Sequence, residues 1–317
     1  MRRRNTRKRV KKQNVYSRKV GGAHGKMFRF FNWWGVPTLQ EKQFFQSMLE
    51  SSSEPYHEVH IHATMSTPTN RAAGVPLPKN SMGDNILRVQ YAGEGSYGHV
   101  NKFHINIVPG DHPPSPQFVA NPFMHLHMMR NQYPMEAFTI KRGYTGPREK
   151  FCIFSVSNPA PNERIQCFNE LSQYKRVDSC GKVLNNMGFN CPGAMGNTDH
   201  INFLSKYKFS ICFENTSMKN YLTEKLAIAW LAGTIPIYWG CPNIADYVNM
   251  DSIVYLKPDF MQEDLHKLIE EVKVLDQDEA LYRKKYEHSL FKDGAVPAAF
   301  DLKALNEKIR SALARGT

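Results

Sequence analysis

The residues best suited to chemistry crowd one stretch, Glu214, Asn215, Thr216, Tyr221, Thr223, Glu224 and Lys225. A lysine can act as a point charge against phosphate, while an amide and a phenol can hydrogen-bond sugar hydroxyls or a diphosphate. Upstream, Ser157 and Asn158 precede Arg164, whose guanidinium fork suits a pyrophosphate. Glu94 lies between Gly93 and Gly95, which let the backbone turn sharply, so its carboxylate either faces a crevice as a base or caps the turn. Trp33 and Trp34 are adjacent and offer flat apolar faces, either to a sugar or to a core.

These groups need elements to hold them. Tyr207 to Phe213 and Thr234 to Trp239 mix aromatic and small apolar residues over a strand's length. Between them Leu226, Ala229, Trp230 and Gly233 fall at helical spacing, which predicts a β-α-β unit with the polar cluster in its first turn. In a parallel α/β sheet that turn borders the ligand crevice, where free N–H groups favour anions. Phe151 to Ser157 reads as a buried strand stopped by Asn158-Pro159, and Asn162 is expected to cap a helix with Ile165, Phe168 and Leu171 on one side. Arg164 then sits in the first turn. A cation there opposes the helix dipole, a cost that contact with a bound pyrophosphate offsets.

The run Phe213-Glu214-Asn215, Tyr221, Glu224-Lys225 and then Ala232 to Ile237 resembles the donor-binding signature of the α-1,3/4-fucosyltransferases, glycosyltransferase family 10. The resemblance is closest to the soluble bacterial-type members, which carry a similar Asn-Trp-Trp-Gly after their first strand, here Asn32 to Gly35. It implies a GT-B architecture, two Rossmann-like α/β domains facing across a cleft. It also implies an inverting transfer of L-fucose from GDP-β-L-fucose to a glycan hydroxyl, α-1,3 on a GlcNAc of N-acetyllactosamine type. Glu94 matches the Gly-Glu core of the family's catalytic-base sequence, with Gly95 where the family has Asn. Ser157, Asn158, Arg164, Asn215, Tyr221, Glu224 and Lys225 fall on donor-binding positions, with Glu224 resembling the ribose-contacting carboxylate. Trp33 and Trp34 are the acceptor-side candidates. Asp178 to Lys182 and Asn185 to Asn190 resemble a strand and loop near the guanine. No Asp-x-Asp pair is placed to hold Mg²⁺ or Mn²⁺, so no cofactor or metal is expected.

The chain has 317 residues and a net charge of +12. Met1 to Lys26 carries 11 Lys or Arg and no acid, leaving 30 basic and 29 acidic residues elsewhere, so the basic balance belongs to that tail and the body is nearly neutral. The tail is expected to be disordered and either to solubilise the chain, to meet an anionic membrane surface, or to hold nucleic acid. No nucleic acid is expected for the core. With no signal-peptide pattern and no apolar run near the roughly 18 residues of a membrane span, a cytoplasmic location, peripheral at a membrane, is expected. The six cysteines lack close Cys-x-x-Cys spacing and are expected as free, buried thiols.

The expected division is a tail (1–26), an acceptor-binding domain (27–147), a GDP-fucose-binding domain (148–290) and a C-terminal segment (291–317) whose helix crosses back to the first domain. Arg142 to Lys150, with two glycines and a proline, reads as the linker. Within the first domain, Thr38 to Met48 is a helix and Glu58 to Ala63, Ile86 to Tyr91 and Phe103 to Val108 are strands. His60 and His62 share a strand face, as do His125 and His127 if Phe123 to Met129 is a strand, but neither pair has an evident third metal ligand. Two other readings stand beside the transferase: the same donor with another acceptor or linkage, and a non-catalytic binder that uses the basic tail.

Overall fold

The computed structural model describes residues 15–18, 27–31, 36–49, 56–64, 85–93, 103–110, 118–119 and 123–315. They build two sheets. The first takes its strands in chain order: β1 (Val15–Arg18), β2 (Met27–Phe31), β3 (Glu58–Thr64), β4 (Ile86–Ala92), β5 (Ile105–Ile107) and β6 (Phe118–Val119). All its pairs are parallel except β1 with β2. The expectation of a wholly disordered tail is thus corrected at Val15–Arg18, where Val and Tyr have strand propensity and β2 offers an open edge.

One face of this sheet is apolar, with Phe28, Phe30, Val59, Ile61, Leu87, Val89 and Ile105 buried against the helix α1 (Leu39–Leu49). Thr38 and Glu41 start α1 with a reciprocal cap, in which the Glu41 N–H donates to Thr38 Oγ1 and the Thr38 N–H to Glu41 Oε2. The other face carries a polar row set by register, His60 beside Arg88 and His62 beside Gln90 and Asn106. His60 and His62 do share that face. His60 is bonded to Glu58, which also accepts from Arg29, while the His62 ring stacks on Phe31 at 4.5 Å.

Burial, with smaller contributions from His60 and Arg88, pushes His62 down to about 3. The unfolded chain therefore takes up a proton near pH 6.5 that folded His62 refuses until about pH 3, and stability falls across that window as pH drops. Between pH 6.5 and 5 this amounts to about 2 kcal/mol. Urea titrations at both pH values should show the loss in wild type and a smaller loss in His62→Phe.

The second sheet has the order β11-β10-β9-β7-β8, all parallel: β7 (Lys150–Phe154), β8 (Val177–Ser179), β9 (Tyr207–Ile211), β10 (Ile235–Tyr238) and β11 (Val254–Tyr255). Helices α3 (Asn162–Tyr174), α4 (Thr198–Leu204), α5 (Glu224–Leu231), α6 (Gln262–Gln277) and α7 (Glu279–Tyr286) accompany it. Both faces are covered, which is why its strands read as continuous apolar runs. From β7 the chain steps out to β8, then returns to β9 and proceeds the other way. The order reverses between β7 and β9, and the crevice beyond their carboxyl ends is the place for a ligand.

Helix α5 is buried all round rather than on one face, and Gly233 lies beyond its end instead of on its side. With φ +73°, Gly233 makes the left-handed turn of a Schellman motif: its N–H donates to Trp230 O and that of Thr234 to Ala229 O. The expected linker is latched to the second sheet's half. Arg142 donates to the carbonyls of Trp230, Thr234 and Tyr286, with its guanidinium 4.1 Å from the Tyr286 ring centre. A glycine- and proline-containing loop is held this way by one arginine filling carbonyls at the end of α5.

Among the described residues, two helices join the halves. The helix α2 (Phe123–Arg130) places Met124 and Met128 in the second core and Leu126 in the first. The helix α8 (Leu302–Arg315) sets Leu305 and Ile309 against the first core, and Asn306 Nδ2 donates to Met48 O at 2.7 Å. Among the described residues no helix is long and apolar enough to cross a membrane.

The cysteine expectation is corrected in part. Cys152, Cys167, Cys212 and Cys241 are free and buried, but Cys180 and Cys191 form a disulfide that closes the loop after β8. Thiol titration of unreduced protein in denaturant should find four reactive groups, and six would contradict the bond.

Candidate functional site

A cavity of about 390 Å³ opens at the reversal between β7 and β9, a size ordinary for a small-ligand site. Ser157 and Asn158 reach it from the loop after β7, Arg164 from the first turn of α3, Asn215 and Tyr221 from the loop after β9, and Glu224 and Lys225 from the start of α5. All seven residues expected at a donor site therefore line one cavity. Glu94, Trp33 and Trp34 lie outside the described residues.

Arg164 is 1% exposed and ties three segments together. Its Nη1 donates to Asn158 O at 2.9 Å, and Nη2 donates to Phe213 O at 2.9 Å, to Glu214 O, and to Asn215 Oδ1 at 3.2 Å. Burial lowers its affinity for its proton, while Glu214 and Tyr221 act against that. Among the described residues no carboxylate is bonded to it and its buried Nε has no hydrogen-bond partner, so its charge remains available to an anion. Asn162 is not the cap of α3. Pro161 occupies that position and Asn162 is the first helical residue, so the helix starts without a side-chain cap. The buried side of α3 is Arg164, Cys167, Phe168 and Leu171, with Ile165 only half-buried.

The other anchor is Glu214, fully buried just past β9. Its Oε1 accepts from the Thr223 N–H at 2.8 Å and its Oε2 from Thr223 Oγ1 at 2.6 Å. Lys225 Nζ lies 3.4 Å from Glu214 Oε2 and 3.6 Å from Glu224 Oε1. Burial raises the Glu214 pKa, against the opposing pull of Lys225 and Thr223. Burial also pushes Glu224 up, but Lys225 and His127 outweigh it and the net direction is down. Glu214 thus pins the amino end of α5 and positions Lys225, which Glu214 and Glu224 flank.

The cavity also contains residues that sequence reasoning did not single out, Glu41 from α1, Arg130 from α2, and Met195 and His200 around α4, together with His127 from α2, which the sequence offered only as one of a pair with His125. Phe123–Arg130 is helical, so His125 and His127 do not share a face. His125 bonds to Phe300 O, while His127 faces the cavity. His200 accepts the Gly196 N–H at 3.1 Å, and burial holds its pKa down. Among the described residues no group of three or more His, Cys, Asp or Glu is gathered to hold a metal ion.

Two Rossmann-like halves with a cavity at the topological reversal form the GT-B fold, which solved structures share. A crystal structure of alpha1,3-fucosyltransferase with GDP-fucose aligns at a TM-score of 0.63 and 21% identity, over 90% of this chain and 89% of that one. Residues 146–292, which hold every described donor-site candidate, match the model of the glycosyltransferase family 10 (fucosyltransferase) C-terminal region. The putative fucosyltransferase R654 of Acanthamoeba polyphaga mimivirus is 32% identical over 52% of this chain and 27% of its own length. The alpha-(1,3)-fucosyltransferase FucT of Helicobacter pylori is 26% identical over 70% of this chain and 52% of its own. The GDP-fucose protein O-fucosyltransferase 3 of Gallus gallus is 32% identical over 44% and 30%. The chain spans between about a quarter and about a half of the length of these curated relatives.

Proposed function

We propose that the protein is an inverting glycosyltransferase that moves L-fucose from GDP-β-L-fucose to a hydroxyl of a glycan acceptor, α-1,3 on a GlcNAc of N-acetyllactosamine type. The observation that carries this reading is the convergence of Ser157, Asn158, Arg164, Asn215, Tyr221, Glu224 and Lys225 on one cavity at the sheet's reversal point. Arg164 and Lys225 receive the charge that develops on GDP as the anomeric C–O bond breaks, which requires no metal. Asn215 and Tyr221 hydrogen-bond the fucose or the diphosphate, and Glu224 binds the ribose. Glu94 takes the acceptor proton while the acceptor oxygen attacks the face opposite GDP, and Trp33 and Trp34 form the acceptor side. The division into an acceptor domain (27–147) and a donor domain (148–290) follows from the same reading; separately, the 11 Lys and Arg of Met1 to Lys26 suit an anionic membrane surface.

A second acceptor class, a protein hydroxyl, draws support from the protein O-fucosyltransferase 3 relatives, which match 44% and 47% of this chain. The cytoplasmic placement expected from the sequence stands against the Cys180–Cys191 bond, because disulfides persist chiefly in oxidising compartments. The proposal is tested by GDP release from GDP-fucose in EDTA, across N-acetyllactosamine glycans and folded protein acceptors. Acceptor-dependent release is expected, with kcat/KM lowered about a hundredfold in Glu94→Gln. Intact GDP binding without release on any acceptor would favour a binding role.

A further inference from the structure

Helix α2 lies outside the β-α-β units of the second sheet, yet it contributes to the cavity's wall. His127 and Arg130 are three residues apart on one helical face, and both line the cavity that holds Arg164 and Lys225. The cations there are committed to different degrees. Lys225 is flanked by Glu214 and Glu224 at 3.4 and 3.6 Å, and Arg164 directs its terminal nitrogens to the carbonyls of Asn158, Phe213 and Glu214 and to the Asn215 amide oxygen. Arg130 is exposed to the cavity and makes no hydrogen bond or ion pair among the described residues. A nucleoside diphosphate carries two anionic groups, and an arginine fork suits one of them.

We propose that Arg130 is a further donor-binding residue, a cation that α2 supplies to the diphosphate of the bound nucleotide. This rests on the GDP-fucose reading of the cavity. Because α2 also seats Leu126 in the first core and Met124 and Met128 in the second, nucleotide held by Arg130 touches an element that joins the two halves. A cation at the end of a helix also complements the helix dipole, but that role is indifferent to what the cavity holds.

Calorimetry with GDP and competition with guanosine, at fixed ionic strength, separates the two roles. In Arg130→Gln, GDP affinity should fall about tenfold or more while guanosine affinity stays unchanged, and Arg130→Lys should lie between. Equal losses for GDP and guanosine, or no loss for either, in a protein whose wild type binds GDP, would overturn the assignment of Arg130 alone. A wild type that binds neither would overturn the GDP-fucose reading and this inference with it.

Discussion

Arg164→Ala should cost both fold and activity, by about 3 to 5 kcal/mol of stability and about a thousandfold in kcat/KM. The stability loss follows from geometry. Arg164 is almost wholly buried and supplies the donors for the carbonyls of Asn158, Phe213 and Glu214, so alanine leaves those acceptors unpaired around a void. The activity loss follows from charge, since removing a fixed cation from a leaving diphosphate costs roughly 2.7 to 4 kcal/mol at the transition state. Arg164→Lys keeps the charge without the fork, so it should recover part of the rate and little of the stability. Urea midpoints and kcat/KM measured well below the melting temperature check both effects. A variant with normal stability and normal kcat/KM would show that Arg164 neither braces the site nor meets the leaving group.

Lys225→Ala should lower kcat/KM by about 2 to 4 kcal/mol, roughly 30- to 1,000-fold, and should make stability depend on pH in a new way. In wild type, Lys225 offsets the burial of Glu214 and Glu224. Without it, the pKa of Glu214, already raised by burial, rises further, and Glu224 loses the pull that holds its pKa down. An acid whose folded pKa lies above its unfolded value binds more protons when folded, so stability increases as pH falls. The stability deficit of Lys225→Ala against wild type should therefore be largest near neutral pH and shrink toward pH 5. A deficit that stays constant across that range would mean that Lys225 does not balance these carboxylates.

Much of the donor half is legible from residue types alone. The run from Tyr207 to Trp239 announces strand, polar turn, helix and strand, and the structure assembles them in that order around Glu214. What escaped reading has identifiable causes. Phe-Met-His-Leu-His-Met in α2 alternates like a strand, which leaves strand and short helix both open and hides the separate directions of His125 and His127. Arg130 gives no local signal because its significance lies in a cavity built by residues far along the chain. Gly233 fits helical spacing but serves as the left-handed stop after α5, a distinction that only backbone geometry makes. Arg142 sits in a stretch with linker composition, and only the packed structure shows the carbonyls of Trp230, Thr234 and Tyr286 around it. Likewise, spacing does not reveal which of six cysteines pair.

Diffraction from crystals grown with GDP and EDTA would test the central assignment most directly. The predicted result is a nucleotide in the cavity between β7 and β9, its diphosphate within hydrogen-bond reach of Arg164 Nε and Lys225 Nζ. GDP bound elsewhere, with this cavity empty, would contradict it.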